Sequence, residues 1–319
     1  MSDKDTTSNK IITSETIKRL ARDVRHIKKN PLTSNGIYYH HDEENILKGY
    51  AMIIGPSDTI YENGFYLFEI NYPTDYPASP PTVLFRTNQH RIRFNPNLYV
   101  SGKVCISILN TWRGDQWSSC QTISSILLTL CTLFTNEPIL NEPGITNRHK
   151  DFTSYHNIIE YSNIDIAILN IIDKSCDLYL PWFDMFYNDA LVHFKQSIFK
   201  INDRIKSFMK NHKHDTLIKT GLYSIRILVD YEKLIPKFNR LVEQHASPED
   251  LKKWKPIVFQ LPRPISTYEE MDDLLAQLIG TSTNEILPTP PPTPTPKKTP
   301  IKISTRTKAV KNKEKILNK

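Results

Sequence analysis

Four short runs rich in β-branched and aromatic residues, at 37–39, 47–54, 65–71 and 82–85, follow one another separated by turn residues, a pattern that predicts an antiparallel meander. Asn63-Gly64, between two of these runs, is a hairpin-type turn signal. The stretch 72–81 holds four prolines, each lacking a backbone donor, so it cannot be a central strand. Ahead of the meander, Thr13 or Ser14 serves as an N-cap, and Ile17, Leu20, Ala21, Val24 and Ile27 recur at helical spacing until Pro31 stops the helix. A helix followed by a meander is an α+β arrangement.

Beyond the meander, 94–117 shows neither period clearly and contains Pro96, Gly102 and Gly114, which predicts a long ordered loop. Long irregular loops inside compact units are usually functional. Helical spacing returns at 122–134 and again at 154–172. Between 174 and 280 the residues Leu191, Phe194, Ile198, Ile201, Ile205 and Phe208 form an apolar stripe that must pack on something. From Ile286 the chain reads LPTPPPTPTP and then turns lysine-rich, a composition that forms neither helix nor sheet. The expected organisation is a disordered 1–12, a core domain at 13–173, a helical extension at 174–280, and a Pro/Thr-rich linker with a basic disordered tail at 281–319.

Charge bears on the choice of partners. From Lys297 to Lys319 there are nine Lys/Arg against Glu314 alone, a net +8, whereas the whole chain carries +7; residues 1–296 therefore carry −1. The positive charge sits in the tail, where it predicts weak, non-specific electrostatic contact with nucleic acid, or a nuclear signal. The tail has no aromatic residue for stacking on bases. No apolar run is long enough to span a membrane, and MSDKDTTSNK is too polar for a secretory signal, so the expected location is cytoplasm or nucleus. The four cysteines, Cys105, Cys120, Cys131 and Cys176, form no C-x-x-C pair, which argues against a zinc or redox site and for free thiols.

The loop carries the most specific signal. It reads FNPNLYVSGKVCISILNTW over 94–112, with Cys105 eight residues after Asn97. This resembles the active-site signature of the ubiquitin-conjugating enzymes, His-Pro-Asn followed by Gly-Lys-Val-Cys. Three further segments fall in that family's order: YPASPPTVLF at 76–85 is similar to its Tyr-Pro-x-x-Pro-Pro strand entry, Trp117-Ser118 to its helix start, and Tyr155-His156-Asn157 to its C-terminal Tyr-Asn pair. Asn95 in place of the histidine, the long insertion through Trp117, and the later Asn141-Glu142-Pro143-Gly144 are similar to the large atypical members, the Z-type and the giant apoptosis-inhibitor type. Loss of the histidine is thus no sign of inactivity.

The resemblance implies the family's α+β fold, an activity and three site residues. Cys105 would accept ubiquitin or a ubiquitin-like modifier as a thioester and pass it to a lysine amine. Thioester chemistry needs a nucleophile that is also a fair leaving group, which suits a thiolate and not an alkoxide. No histidine flanks Cys105, so a protease-like pair has little local support. Asn97 would either donate to the oxyanion of the transfer step, worth about 2.7–4 kcal/mol, or brace the loop. The attacking lysine must be neutral although its ordinary pKa is about 10.4. Glu142, or Asn141 beside it, stands where the family places a residue that desolvates and orients that lysine. Asn95, Pro96 and Tyr99 read as scaffold.

No cofactor is expected; ATP is consumed by the upstream activating enzyme. The family's partners would be that enzyme, met through the N-terminal helix with Lys18, Arg19, Arg22, Arg25, Lys28 and Lys29, and a ubiquitin ligase or the substrate itself. Ala78, where many members carry a large aromatic residue, and Ser119-Cys120, where Pro-Ala is frequent, put ordinary ligase docking in doubt. The alternative is a non-catalytic ubiquitin-binding scaffold of the same fold, which the presence of Cys105 disfavours.

Overall fold

A computed structural model describes residues 12–261. The expectations for 1–11, for the end of the extension from 262, and for the Pro/Thr-rich and basic tail lie outside the described residues.

Helix α1 (Ser14–Lys29) begins at Thr13, whose hydroxyl accepts the Thr16 amide at 3.1 Å. Strands β1 (Ile37–His41), β2 (Lys48–Ile54), β3 (Phe65–Asn71) and β4 (Thr82–Phe85) form one antiparallel sheet in chain order, the expected meander. Register is fixed by pairs such as Met52 with Leu67 and Phe68 with Phe85. Both faces of β2 and β3 are buried, so their sequences read as continuous apolar runs and not as alternation.

Asn63-Gly64 ends a ten-residue connection from Gly55 and does not make a two-residue hairpin. The reason is packing: Ile60 and Tyr61 within that connection are buried, and the Tyr61 hydroxyl donates to the Phe94 carbonyl at 2.6 Å. Asn63 takes a left-handed φ of 65°. A Cβ on Gly64 would stand 2.0 Å from Asn163 Oδ1, so only glycine fits.

The proline-rich stretch 72–81 runs as a loop from β3 to β4, with a cis bond at Tyr76–Pro77. It is tied to α1 and to the later chain. The Tyr76 hydroxyl donates to Asp23 at 2.6 Å, the Thr16 hydroxyl donates to the Thr74 carbonyl at 2.8 Å, and the Trp117 indole N–H donates to the Pro77 carbonyl at 2.8 Å.

Helix α2 (Ile123–Cys131) has a reciprocal cap between Thr122 and Ser125, and its apolar face buries Ile123, Ile126, Leu127 and Leu130. The segment expected at 154–172 is one continuous helical run made of α3 (Phe152–Ser162), a π-helical stretch Asn163–Leu169 and α4 (Asn170–Ile172). Asn163 sits at the α-to-π change. Wholly buried, it accepts the Tyr66 hydroxyl and donates to the Glu62 carbonyl at 3.0 Å, so the bulge coincides with a polar tether to the β2–β3 connection.

The extension contains α5 (Tyr187–Asn211), a small hairpin of β5 (Leu217–Lys219) and β6 (Arg226–Leu228), α6 (Tyr231–His245) and α7 (Pro248–Lys253). The stripe of α5 buries Phe194, Ile198, Ile201, Ile205 and Phe208 in the same hydrophobic cluster as the sheet, with Leu191 half-buried at its edge. Polar contacts anchor α5 to the β2–β3 connection: His193 to Asn63 at 3.0 Å, Arg204 to the Thr59 carbonyl at 2.9 Å, and Lys200 to Glu62 at 3.2 Å. No described helix is long and apolar enough to cross a membrane.

Candidate active site

The segment expected as a loop at 94–117 has no regular element beyond a single 3₁₀ turn at Ser107–Leu109, yet its backbone is held from beneath. Phe94, Leu98, Val104, Ile108 and Leu109 are buried, and bridges join Leu84 to Lys103 and Leu98 to Val104. An irregular backbone needs its polar groups satisfied one by one. Asparagines do this here.

Asn95 is wholly buried. Its side chain donates to the Leu133 carbonyl at 2.9 Å and accepts the Asn97 amide N–H at 2.8 Å, while Asn141 donates to it at 3.3 Å. Asn97 Nδ2 in turn donates to the Cys105 carbonyl at 2.6 Å, and the Cys105 N–H returns to the Asn97 carbonyl at 2.9 Å. Cys105 is thus fixed by two hydrogen bonds to the residue eight positions before it. A primary amide has a second N–H, which leaves Asn97 one donor beyond this brace.

Thr111 closes the other side. Its hydroxyl accepts the Ile106 N–H at 2.9 Å and lies within donating distance of the Val104 and Ile106 carbonyls, and the Cys105 thiol faces the Thr111 carbonyl. Cys105 is 4% exposed. Among the described residues its hydrogen bonds run to Asn97 and Thr111, and none to a histidine. Of the other thiols, Cys120 is exposed, while Cys131 and Cys176 are half-buried, burial pushing the Cys131 thiol up.

Glu142 follows the 3₁₀ turn Pro138–Asn141, directly after the asparagine that contacts Asn95. Its Oε2 accepts the hydroxyl of Tyr223, a residue of the extension. Burial, and then this carboxylate, push the Tyr223 phenol above its ordinary range, so it stays protonated as the donor. The Arg93 guanidinium lies over the Tyr223 ring at 4.0 Å and over the Tyr99 ring at 4.0 Å. The Arg93 carbonyl accepts the Tyr155 hydroxyl at 2.6 Å.

Asn97 and Cys105 are therefore brought into direct contact, and Glu142 is linked to their loop through Tyr223, Arg93 and Tyr99. Thr111, Arg93 and Tyr223 carry no motif by which the sequence could single them out. Thr111 is one of many threonines, and Tyr223 lies 81 residues from Glu142. On α1, Arg19 differs from the other cations of that face: it pairs with buried Asp23 at 3.0 Å and donates to the Ser119 and Gln121 carbonyls. Lys18, Arg22, Arg25, Lys28 and Lys29 remain exposed, as do Ala78, Ser119 and Cys120.

The family model for ubiquitin-conjugating enzymes matches residues 19–162. The "Ubiquitin-conjugating enzyme E2 Z" of Homo sapiens is 42% identical over 161 residues, 50% of this chain and 45% of that protein. Its Xenopus tropicalis counterpart is 40% identical over 171 residues, 53% of this chain and 54% of that one. The human "Dual E2 ubiquitin-conjugating enzyme/E3 ubiquitin-protein ligase BIRC6" is 45% identical over 119 residues, 35% of this chain and 2% of that protein. The chain spans about half the length of the E2 Z relatives it matches. These are the two atypical types to which Asn95 and the long insertion pointed. The meander, the braced loop and these relatives agree with the match of residues 19–162 to the ubiquitin-conjugating enzyme family model.

Proposed function

We propose that this chain accepts ubiquitin or a ubiquitin-like modifier from an activating enzyme as a thioester on Cys105 and transfers it to a lysine amine of a substrate, with or without a ligase. The observation that carries the reading is the reciprocal pair of hydrogen bonds between Asn97 and Cys105, which fixes the nucleophile's backbone and leaves an amide N–H beside it.

In the first step the Cys105 thiolate attacks the carbonyl carbon of the modifier's thioester on the activating enzyme; a new S–C bond forms and the old one breaks, releasing the activating enzyme's thiolate. In the second step a neutral lysine nitrogen attacks the same carbon. The C–N bond forms, the C–S bond breaks, Cys105 leaves as thiolate, and the proton lost from nitrogen passes to water. The free N–H of Asn97 supports the oxyanion, and Glu142 orients the amine and favours its loss of a proton. The absence of a histidine bonded to Cys105, among the described residues, favours transfer over hydrolysis.

The exposed cations of α1 suit the activating enzyme, whose encounter a basic helix would speed. In this reading 13–173 is the catalytic domain and 174–280 its extension, the tail adds weak contact with polyanions, and the protein works in cytoplasm or nucleus, where thiols stay reduced. The test is incubation with activating enzyme, ATP and a panel of ubiquitin-like modifiers. A thiol-sensitive adduct present in the wild type and missing in Cys105→Ala supports the reading; no adduct with any modifier refutes it.

A further inference from the structure

The turn Leu222–Ser224 between β5 and β6 brings the extension against Arg93 and Glu142, beside the active-site loop, and there the backbone is strained. Tyr223 and Ser224 adopt φ of 60° and 52°, a left-handed pair that neither side chain favours. Such geometry persists only where the surroundings enforce it. They do so here: the Leu222 N–H donates to Asp151 Oδ2 at 2.8 Å, the Thr220 hydroxyl donates to the Leu222 carbonyl at 2.7 Å, and the Thr220 N–H donates to the Ile225 carbonyl at 2.9 Å. Asp151 is buried, with its carboxyl held below the ordinary range by the Leu222 and Gly221 amides against the upward push of burial.

What the strain presents is the Tyr223 side chain. Its hydroxyl donates to Glu142, and its ring, like that of Tyr99, packs on the Arg93 guanidinium. Among the described residues Arg93 Nε is buried without a hydrogen-bond partner, while its NH2 donates to the Pro96 carbonyl at 2.5 Å, so the guanidinium is held by the two rings and by the backbone of the loop itself. Glu142 Oε1 takes no hydrogen bond from any described residue, so the carboxylate keeps one free oxygen while the other is fixed.

We propose that Tyr223 of the extension is a positioning residue for lysine transfer, fixing Glu142 by one oxygen and the Asn97–Cys105 loop through Arg93 and Tyr99. The extension then completes the acceptor side of the site, which the residues matched to the family do not finish by themselves. The proposal rests on the thioester reading above and adds to it a residue from outside the matched segment.

The test starts from equal amounts of purified Cys105 thioester of the full chain and follows single-turnover loss to free lysine and to water. Tyr223→Phe keeps the ring over Arg93 and removes the donor to Glu142; loss of a hydrogen bond to a carboxylate predicts transfer to lysine about tenfold slower relative to hydrolysis. Glu142→Gln should slow lysine transfer as well, and the double variant should be little slower than the worse single one, because both changes break one arrangement. Thermal unfolding of each variant shows that the fold is kept. Tyr223→Phe discharging like the wild type, slowing lysine and water alike, or adding its full effect to that of Glu142→Gln would each overturn the proposal. If the wild type forms no thioester, the functional reading itself fails and Tyr223 has no such role; if it charges and only the Tyr223 result is negative, the functional reading stands without it.

Discussion

Replacing Asn97 by alanine separates the two roles this residue can play. Its amide donates to the Cys105 carbonyl at 2.6 Å in a loop where both residues are buried, at 8% and 4% exposure. Removing the donor leaves a buried carbonyl unpaired, which costs about 1–3 kcal/mol. For a unit of this size the unfolding midpoint should fall by about 2–4 °C for each kcal/mol. If the second N–H also supports the oxyanion, lysine discharge slows by a further factor of about 10²–10³, the loss typical of one such donor. The assay pairs thermal unfolding with single-turnover discharge of the purified Cys105 thioester to lysine. A lower midpoint with normal discharge would refute the oxyanion role and leave the brace. Slow discharge with an unchanged midpoint would refute the brace as a source of stability. A variant normal in both would refute the reasoning from the Asn97–Cys105 pair altogether.

Gly64→Ala should destabilise by about 3 kcal/mol, near the upper end for overpacking, because its Cβ meets Asn163 Oδ1 at 2.0 Å and the Tyr66 hydroxyl at 2.8 Å; an unchanged unfolding midpoint would count against it. Asp23→Ala removes the acceptor of the buried Tyr76 hydroxyl and the carboxylate partner of Arg19, which keeps its bonds to the Ser119 and Gln121 carbonyls, and chemical denaturation should show a loss of about 3 kcal/mol, the lower end for breaking a buried pair. Burial holds the His193 and His156 imidazoles below their usual 6.5, in each case against a raising carboxylate, Glu62 or Glu160. Each binds its proton more readily unfolded than folded, so stability is full above about pH 6.5 and declines as the pH falls below it. His193→Gln should make that decline shallower in midpoints measured from pH 7.5 to 5, and an identical slope would sink the assignment. Asp173 acts lower: burial raises its carboxyl, but hydrogen bonds from Ser175 and Arg240 outweigh this and leave it below the usual 3.8, so its contribution is lost only in more acidic solution.

The parts of the fold that were legible in the sequence are those that short-range physics writes locally. A run of β-branched residues selects extended backbone whatever lies beyond it, and the Thr13 cap and the apolar spacing of α1 act within a few residues. Asn63-Gly64 does mark a turn between β2 and β3, but not the length of the connection. The dipeptide permits a tight turn, but the burial of Ile60 and Tyr61 in the core decided the course of the connection. Five of the six α1 cations singled out by sequence are exposed, whereas Arg19 is taken up by the Ser119 and Gln121 carbonyls about a hundred residues away, which no local pattern signals.

The sequence alone determined the α+β arrangement, the placing of Cys105 eight residues after Asn97, and the family resemblance, because each depends on residue types at fixed short spacing. The tertiary structure alone decided that Thr111 closes the loop over Cys105, that His193 on α5 ties that helix to the β2–β3 connection, and that Tyr223 reaches Glu142 and Arg93. Contacts across 81 or 130 residues leave no periodic trace in either partner. They exist because the sheet, the π-helical stretch from Asn163 and α5 bury one common apolar cluster, and that shared burial places the strained turn at Tyr223 against Arg93 and Glu142.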